Sequence, residues 1–128
     1  MSQEKKTIKA FTDLIAWQKA HLLAVEIYGE TKNFPASEQF GLTNQIRRSA
    51  YSVTSNLAEG FGRRTVADRT HFYDMARASL AELQSQLLLA KDINYLTDGA
   101  FGQLYDLSIE SHKLLTGLIN STRARSNA

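Results

Sequence analysis

Apolar residues in this chain recur at three- and four-residue spacing through four long segments, and no stretch alternates with the period of a strand. That regularity restricts the chain to helices packed on helices. The stripe is cleanest at Leu42, Ile46, Ala50, Val53 and Leu57, which predicts a second helix opening at Ser37 and Glu38. Gly60 is placed to end it in the left-handed conformation that suits a residue without a Cβ. Ahead of it, Thr12 or Asp13 can cap a first helix carrying Leu14, Trp17, His21, Ala24, Val25 and Tyr28. Pro35 ends that helix by biasing Phe34 away from helical angles. Thr65, or Asp68 a little later, caps a third helix with Phe72, Met75, Ala76, Ser79, Leu80, Leu83, Leu87 and Ala90 on one side. The chain turns at 94–99. A last helix, from about Ala100, places Leu104, Tyr105, Ile109, His112, Leu115 and Ile119 inward and frays from Ser121.

Short connections force neighbouring helices to run antiparallel, so the predicted class is all-α, an up-down-up-down four-helix bundle. A length of 128 residues suits one domain. The expected organisation is a flexible arm over 1–11, the bundle over 12–122 and a flexible tail over 123–128. Leu87, Leu88 and Leu89 are continuous, Ala78 and Ala81 lie off the third helix's stripe, and Leu107, Leu114 and Leu118 lie off the fourth's. A second apolar stripe asks for a second partner, most simply another copy of the chain. Cysteine is absent, which removes disulfides and thiolate metal sites. The N-terminus is polar without an apolar run behind it, and no segment approaches the roughly 20 apolar residues of a membrane span. A soluble, cytoplasmic protein is expected.

Net charge is only +2, but its distribution is uneven. Between Arg47 and Arg77 lie six arginines and no lysine against Glu59, Asp68 and Asp74, a local excess of +3. Lys5, Lys6 and Lys9 at the head and Arg123 and Arg125 at the tail add to it. Guanidinium forks match phosphate geometry, and Arg63 and Arg64 precede the start of the third helix, where free backbone N–H groups also favour an anion. Arg48, Arg63, Arg64, Arg69 and Arg77 are the candidate phosphate contacts. Their alternative is pairing with Glu38, Glu59, Asp68 or Asp74. Arg47 abuts the apolar stripe and reads as structural.

Asn56 and Glu59 are one turn apart and share a face with the exit at Gly60. Nothing beside Glu59 supplies a nucleophile, so the three read as a structural motif fixing the loop. His21, His71 and His112 fall on separate segments without the paired Glu-x-x-His of di-iron bundles, so no metal site is expected. His21 and His112 read as packed core histidines. Phe61 and Tyr73, near the arginine loop, are the aromatic residues placed for base stacking. Gly60-Phe61-Gly62 lacks both the lysine and the preceding strand of a phosphate-binding loop. No enzyme and no cofactor is expected.

Several motifs together resemble one bacterial family. Phe11-x-Asp13-Leu14-x-x-Trp17-Gln18-x-Ala20 opens the first helix. Phe34-Pro35-x-x-Glu38-x-x-Gly41-Leu42-x-x-Gln45-Ile46-Arg47-Arg48-x-Ala50 opens the second. Asn56-x-x-Glu59-Gly60 closes it, and Ala76-x-x-Ser79-Leu80-x-Glu82-Leu83 lies on the third. Across about residues 11–120 the chain resembles the four-helix-bundle proteins encoded by intervening sequences within large-subunit ribosomal RNA genes, to which a ribosomal-protein label is sometimes attached. It is also similar to the accessory proteins of diversity-generating retroelements. The resemblance implies a ring-like homopentamer and, through the retroelement proteins, binding to nucleic acid and to a reverse transcriptase. The functional expectation is a non-enzymatic oligomeric module that binds RNA or DNA by phosphate with low sequence specificity. The alternative is a protein-interaction scaffold whose partner is a protein such as a reverse transcriptase.

Overall fold

In a computed structural model, which describes residues 7–126, the chain forms four α-helices and, among those residues, no strand. Helix α1 is Ile15–Thr31, α2 Leu42–Phe61, α3 Val66–Asp92 and α4 Asp98–Ser126. Single 3-10 turns at Phe11–Asp13 and Ala36–Glu38 precede α1 and α2. Each helix packs on its neighbours in sequence, and α4 closes on α1; the diagonal pairs do not meet. Cross-helix pairs run in opposite order, as in Ser52–Ser79 followed by Ser49–Glu82, and Lys19–Glu110 followed by Glu26–Gln103. The helices are therefore antiparallel, and the core lies along the axis.

That core is Ala16, Ala20, Leu23 and Ile27 from α1, Ile46, Ala50, Val53 and Leu57 from α2, Ala76, Leu80, Leu83 and Leu87 from α3, and Leu104, Leu115 and Ile119 from α4. The stripe predicted for α2 is the buried one. On α1 the inward face differs from expectation. Val25 is 55% and Tyr28 39% exposed, while Ala20, Leu23 and Ile27 are buried. The helix is turned by about one residue step, ~100°, from the predicted face. Its circumference carries apolar residues nearly all round, so spacing does not single out one face. Ile15, Leu22 and Val25 occupy the side opposite the core and are all exposed. The surplus stripe belongs chiefly to α1. Leu88 and Leu89 of α3 are exposed as expected, but Leu107, Leu114 and Leu118 of α4 are half-buried against the chain's own core.

Helix ends show how local chemistry sets the boundaries. Thr65 Oγ1 accepts from the Asp68 N–H at 3.1 Å, the predicted cap of α3. Thr97 Oγ1 accepts from Ala100 at 3.1 Å and starts α4. Asn94 takes φ 66, the left-handed turn an asparagine tolerates, and closes α3. Asp13 does not cap α1: its Oδ2 accepts from Lys9 and Ala10, folding back on the preceding arm. Helix α2 starts only at Leu42, later than Ser37, and a carboxylate serves its first turn. Glu38 Oε1 accepts from the Leu42 N–H at 3.1 Å while Oε2 accepts from the Tyr95 hydroxyl at 2.7 Å. Helix α4 continues to Ser126, beyond the predicted fraying at Ser121. The outermost parts of the expected arm and tail, 1–6 and 127–128, lie outside the described residues.

Candidate nucleic-acid interface

Gly60 does not end α2 in a left-handed turn. No glycine has a positive φ; Gly60 is helical and buried, and α2 runs on through Phe61. Its purpose is space. A Cβ there would stand 2.8 Å from Tyr73 Cε1, 2.9 Å from Tyr73 Cδ1 and 3.0 Å from Phe72 Cβ. The missing side chain lets α3 lie against the last turn of α2, which seats the arginine loop between them. Asn56 Nδ2 donates to the Ser52 carbonyl at 2.9 Å rather than to the loop. Glu59 pairs with Arg63 at 2.9 Å.

The five candidate arginines separate into different roles. Arg63 is held by Glu59 and lies 4.6 Å from the centre of the Phe72 ring. Arg64 is exposed and has no partner among the described residues. Arg69 donates from Nε to the Arg63 carbonyl at 2.7 Å, tying the loop to α3, and sits over Phe61 at 5.9 Å. Arg77 pairs with Asp74 at 2.9 Å, and Arg123 reaches the same carboxylate from α4 at 3.5 Å. Arg48 is exposed, without a partner among the described residues, beside the polar α2–α3 groove of Gln45, Ser49, Ser52 and Glu82. It is about 22 Å along α2 from Arg63, fifteen residues at 1.5 Å each, and does not join the others. Arg47 is structural as expected. It donates to Thr31 Oγ1 at 2.8 Å and to the Tyr28 carbonyl at 3.3 Å, binding α2 to the last turn of α1.

Antiparallel packing brings the C-terminal arginines to the same end as the loop. Lys9, Arg63, Arg64, Arg69, Arg77, Arg123 and Arg125 gather there against Asp13, Glu59, Asp68 and Asp74. At the opposite end Glu30, Glu38, Asp92 and Asp98 are balanced by Lys32, Arg47, Arg48 and Lys91. Spacing along the sequence gave the first arginine group; the joining of Arg123 and Arg125 to it follows from helix direction alone.

The aromatic candidates fare differently. Tyr73 is 2% exposed and lies under Gly60, so it presents no face for stacking. Phe61 is half-buried beneath Arg69. His21 and His112 are exposed, not core residues; His21 stacks on Trp17 at 4.6 Å. Among the described residues no group of three His, Cys, Asp or Glu side chains could hold a metal, and no helix is long and apolar enough to cross a membrane.

No curated protein matches the chain. A crystal structure of a protein of unknown function from the S23 ribosomal protein family of Bacteroides thetaiotaomicron is similar in fold. It superposes with a TM-score of 0.76 at 24% identity, covering 83% of this chain and 96% of that one. The model of the 23S rRNA-intervening sequence protein family matches residues 12–117, from the turn before α1 to the penultimate turns of α4, so the chain belongs to that family.

Proposed function

We propose that the chain is a non-enzymatic, cytoplasmic oligomer that holds RNA or DNA by backbone phosphates, with little sequence preference. The carrying observation is the concentration of guanidiniums at one end of the bundle, with Arg64 exposed and unpaired at its edge. Phosphate contacts of this kind position a strand without reading its bases. Repetition of the end in an oligomer, a pentamer by the family resemblance, multiplies the field a polyanion meets. The test is an electrophoretic shift assay across roughly 50 to 200 mM salt. Affinity should fall steeply, and Arg64→Gln should lower the logarithmic salt slope by about one while weakening unrelated sequences equally. A salt-independent or absent shift overturns the reading.

A second reading has its own support. Arg63 and Arg77 are engaged by carboxylates, and the exposed side of α1 offers Ile15, Leu22 and Val25 to a protein surface. In that reading the assembly is a scaffold for a partner such as a reverse transcriptase. Stoichiometric recovery of one protein that survives nuclease treatment would favour it.

A further inference from the structure

At the arginine-rich end the helices leave a cavity of about 160 Å³ whose lining includes Phe61, Arg69, Tyr73, Leu118, Thr122 and Arg125. No carboxylate lines it. Arg69 is held in place by the bond from its Nε to the Arg63 carbonyl, which leaves the terminal nitrogens of the guanidinium uncommitted. Among the described residues Arg125 makes only a long bond, from Nε to the Ser121 carbonyl at 3.5 Å. Tyr73 is nine-tenths or more buried, with one ring edge against Gly60. Its hydroxyl makes no hydrogen bond to any described residue. The hydroxyl is not one of the enclosed, unsatisfied polar atoms, so it opens on the recess and is free to donate there. Burial pushes the Tyr73 pKa up while the charges of Arg69 and Arg125 oppose the rise, so both guanidiniums act at the hydroxyl. Three donors from α3 and α4 thus face one small space that is short of acceptors.

We propose that this cavity binds one phosphate group, free or singly esterified, between the guanidiniums of Arg69 and Arg125 with the Tyr73 hydroxyl donating to it. Two cations and a neutral donor match the double charge of a phosphate monoester. An internal diester carries only one charge and must continue in two directions, which suits so small a space less well. The inference rests on the phosphate-directed reading only for the origin of the group, which is either the terminus of a strand or a small phosphorylated molecule.

Calorimetric titration of the full chain with inorganic phosphate at low ionic strength tests the site directly. Saturable binding is expected, weakened about tenfold or more in Tyr73→Phe and in Arg125→Gln. Tyr73→Phe keeps the ring that packs on Gly60, and a thermal melt of each variant confirms that it is folded. No saturable uptake of phosphate, or equal affinity in wild type and both variants, overturns the proposal. A second arm compares 5′-phosphorylated and 5′-hydroxyl oligonucleotides of one sequence. A preference for the phosphorylated strand that Tyr73→Phe abolishes assigns the site to a strand end. Phosphate binding without such a preference assigns it to a small molecule. Failure of both strands to bind would count against the nucleic-acid reading and leave the phosphate titration to decide the cavity by itself.

Discussion

Adding one methyl group at Gly60 sets two effects against each other. Alanine is the better helix former by about 1 kcal/mol, but its Cβ would press into the buried Tyr73 ring at 2.8 Å. A buried aromatic ring has nowhere to go, and overpacking of this kind costs about 1–3 kcal/mol. Gly60→Ala should therefore lower stability by roughly 1 kcal/mol or more in chemical denaturation. Gly117→Ala is the control: Gly117 is helical with nothing within 4 Å of its Cβ position, so it should gain about 0.5–1 kcal/mol. Tyr73→Phe removes a hydroxyl that bonds no described residue and opens on the recess, and stability should change by less than about 1 kcal/mol. Sequence reasoning identified Gly60 as special yet misassigned the reason, because a glycine near a helix end and one under a crossing helix look alike until the neighbour is placed. Tyr73 was singled out for its position beside the arginines; its burial under α2 was not legible, since that depends on what Gly60 leaves open.

Helices α2 and α3 owe their starts to single side chains. Thr65→Ala should cost about 1 kcal/mol by removing the cap of α3, again read by denaturation. Glu38 is the more connected device, since one carboxylate joins the start of α2 to the turn before α4 through Tyr95. The Tyr95 hydroxyl and the Leu42 N–H hold the Glu38 pKa below its ordinary 4.5. A lowered carboxylate pKa contributes stability above 4.5 that is lost as pH falls through the folded value. The same bond, followed by burial, raises the Tyr95 pKa above 10.0. A raised pKa contributes stability below 10.0 that is lost as pH climbs through the folded value. Tyr95→Phe should thus be less stable than wild type near neutrality, with the gap narrowing as pH falls below 4.5 and again as it climbs above 10.0. A gap constant across that range would show that the bond contributes nothing. At this scale the four helices were legible in the sequence, and so were Ile46, Ala50, Val53 and Leu57 of the buried face of α2; the small and polar Thr43, Ser49 and Gly60 that share it carry no apolar signal. The rotation of α1 was not, because Trp17, Val25 and Tyr28 fit the same period as Ala20, Leu23 and Ile27.

Charge is unevenly spread over the bundle as a whole, with cations in excess where α2 turns into α3 and the two signs balanced at the other end. A linear reading finds the arginine-rich segment but not the polarity, which exists only once direction alternates. The apolar outer side of α1 has consequences at the same scale. Val25→Asp, at a position 55% exposed, should leave the fold intact while lowering the mass measured by light scattering if copies meet there. An unchanged mass places the contact elsewhere. The path of the chain matters for anyone handling the protein. Ile8 lines the same recess as Arg125, so both outer stretches of the described chain arrive at the cationic pole. Acidic side chains introduced beside Ile8 or Arg125 would stand next to the guanidiniums and compete for them. Binding measured on such a variant would report on the added carboxylates as much as on the arginines.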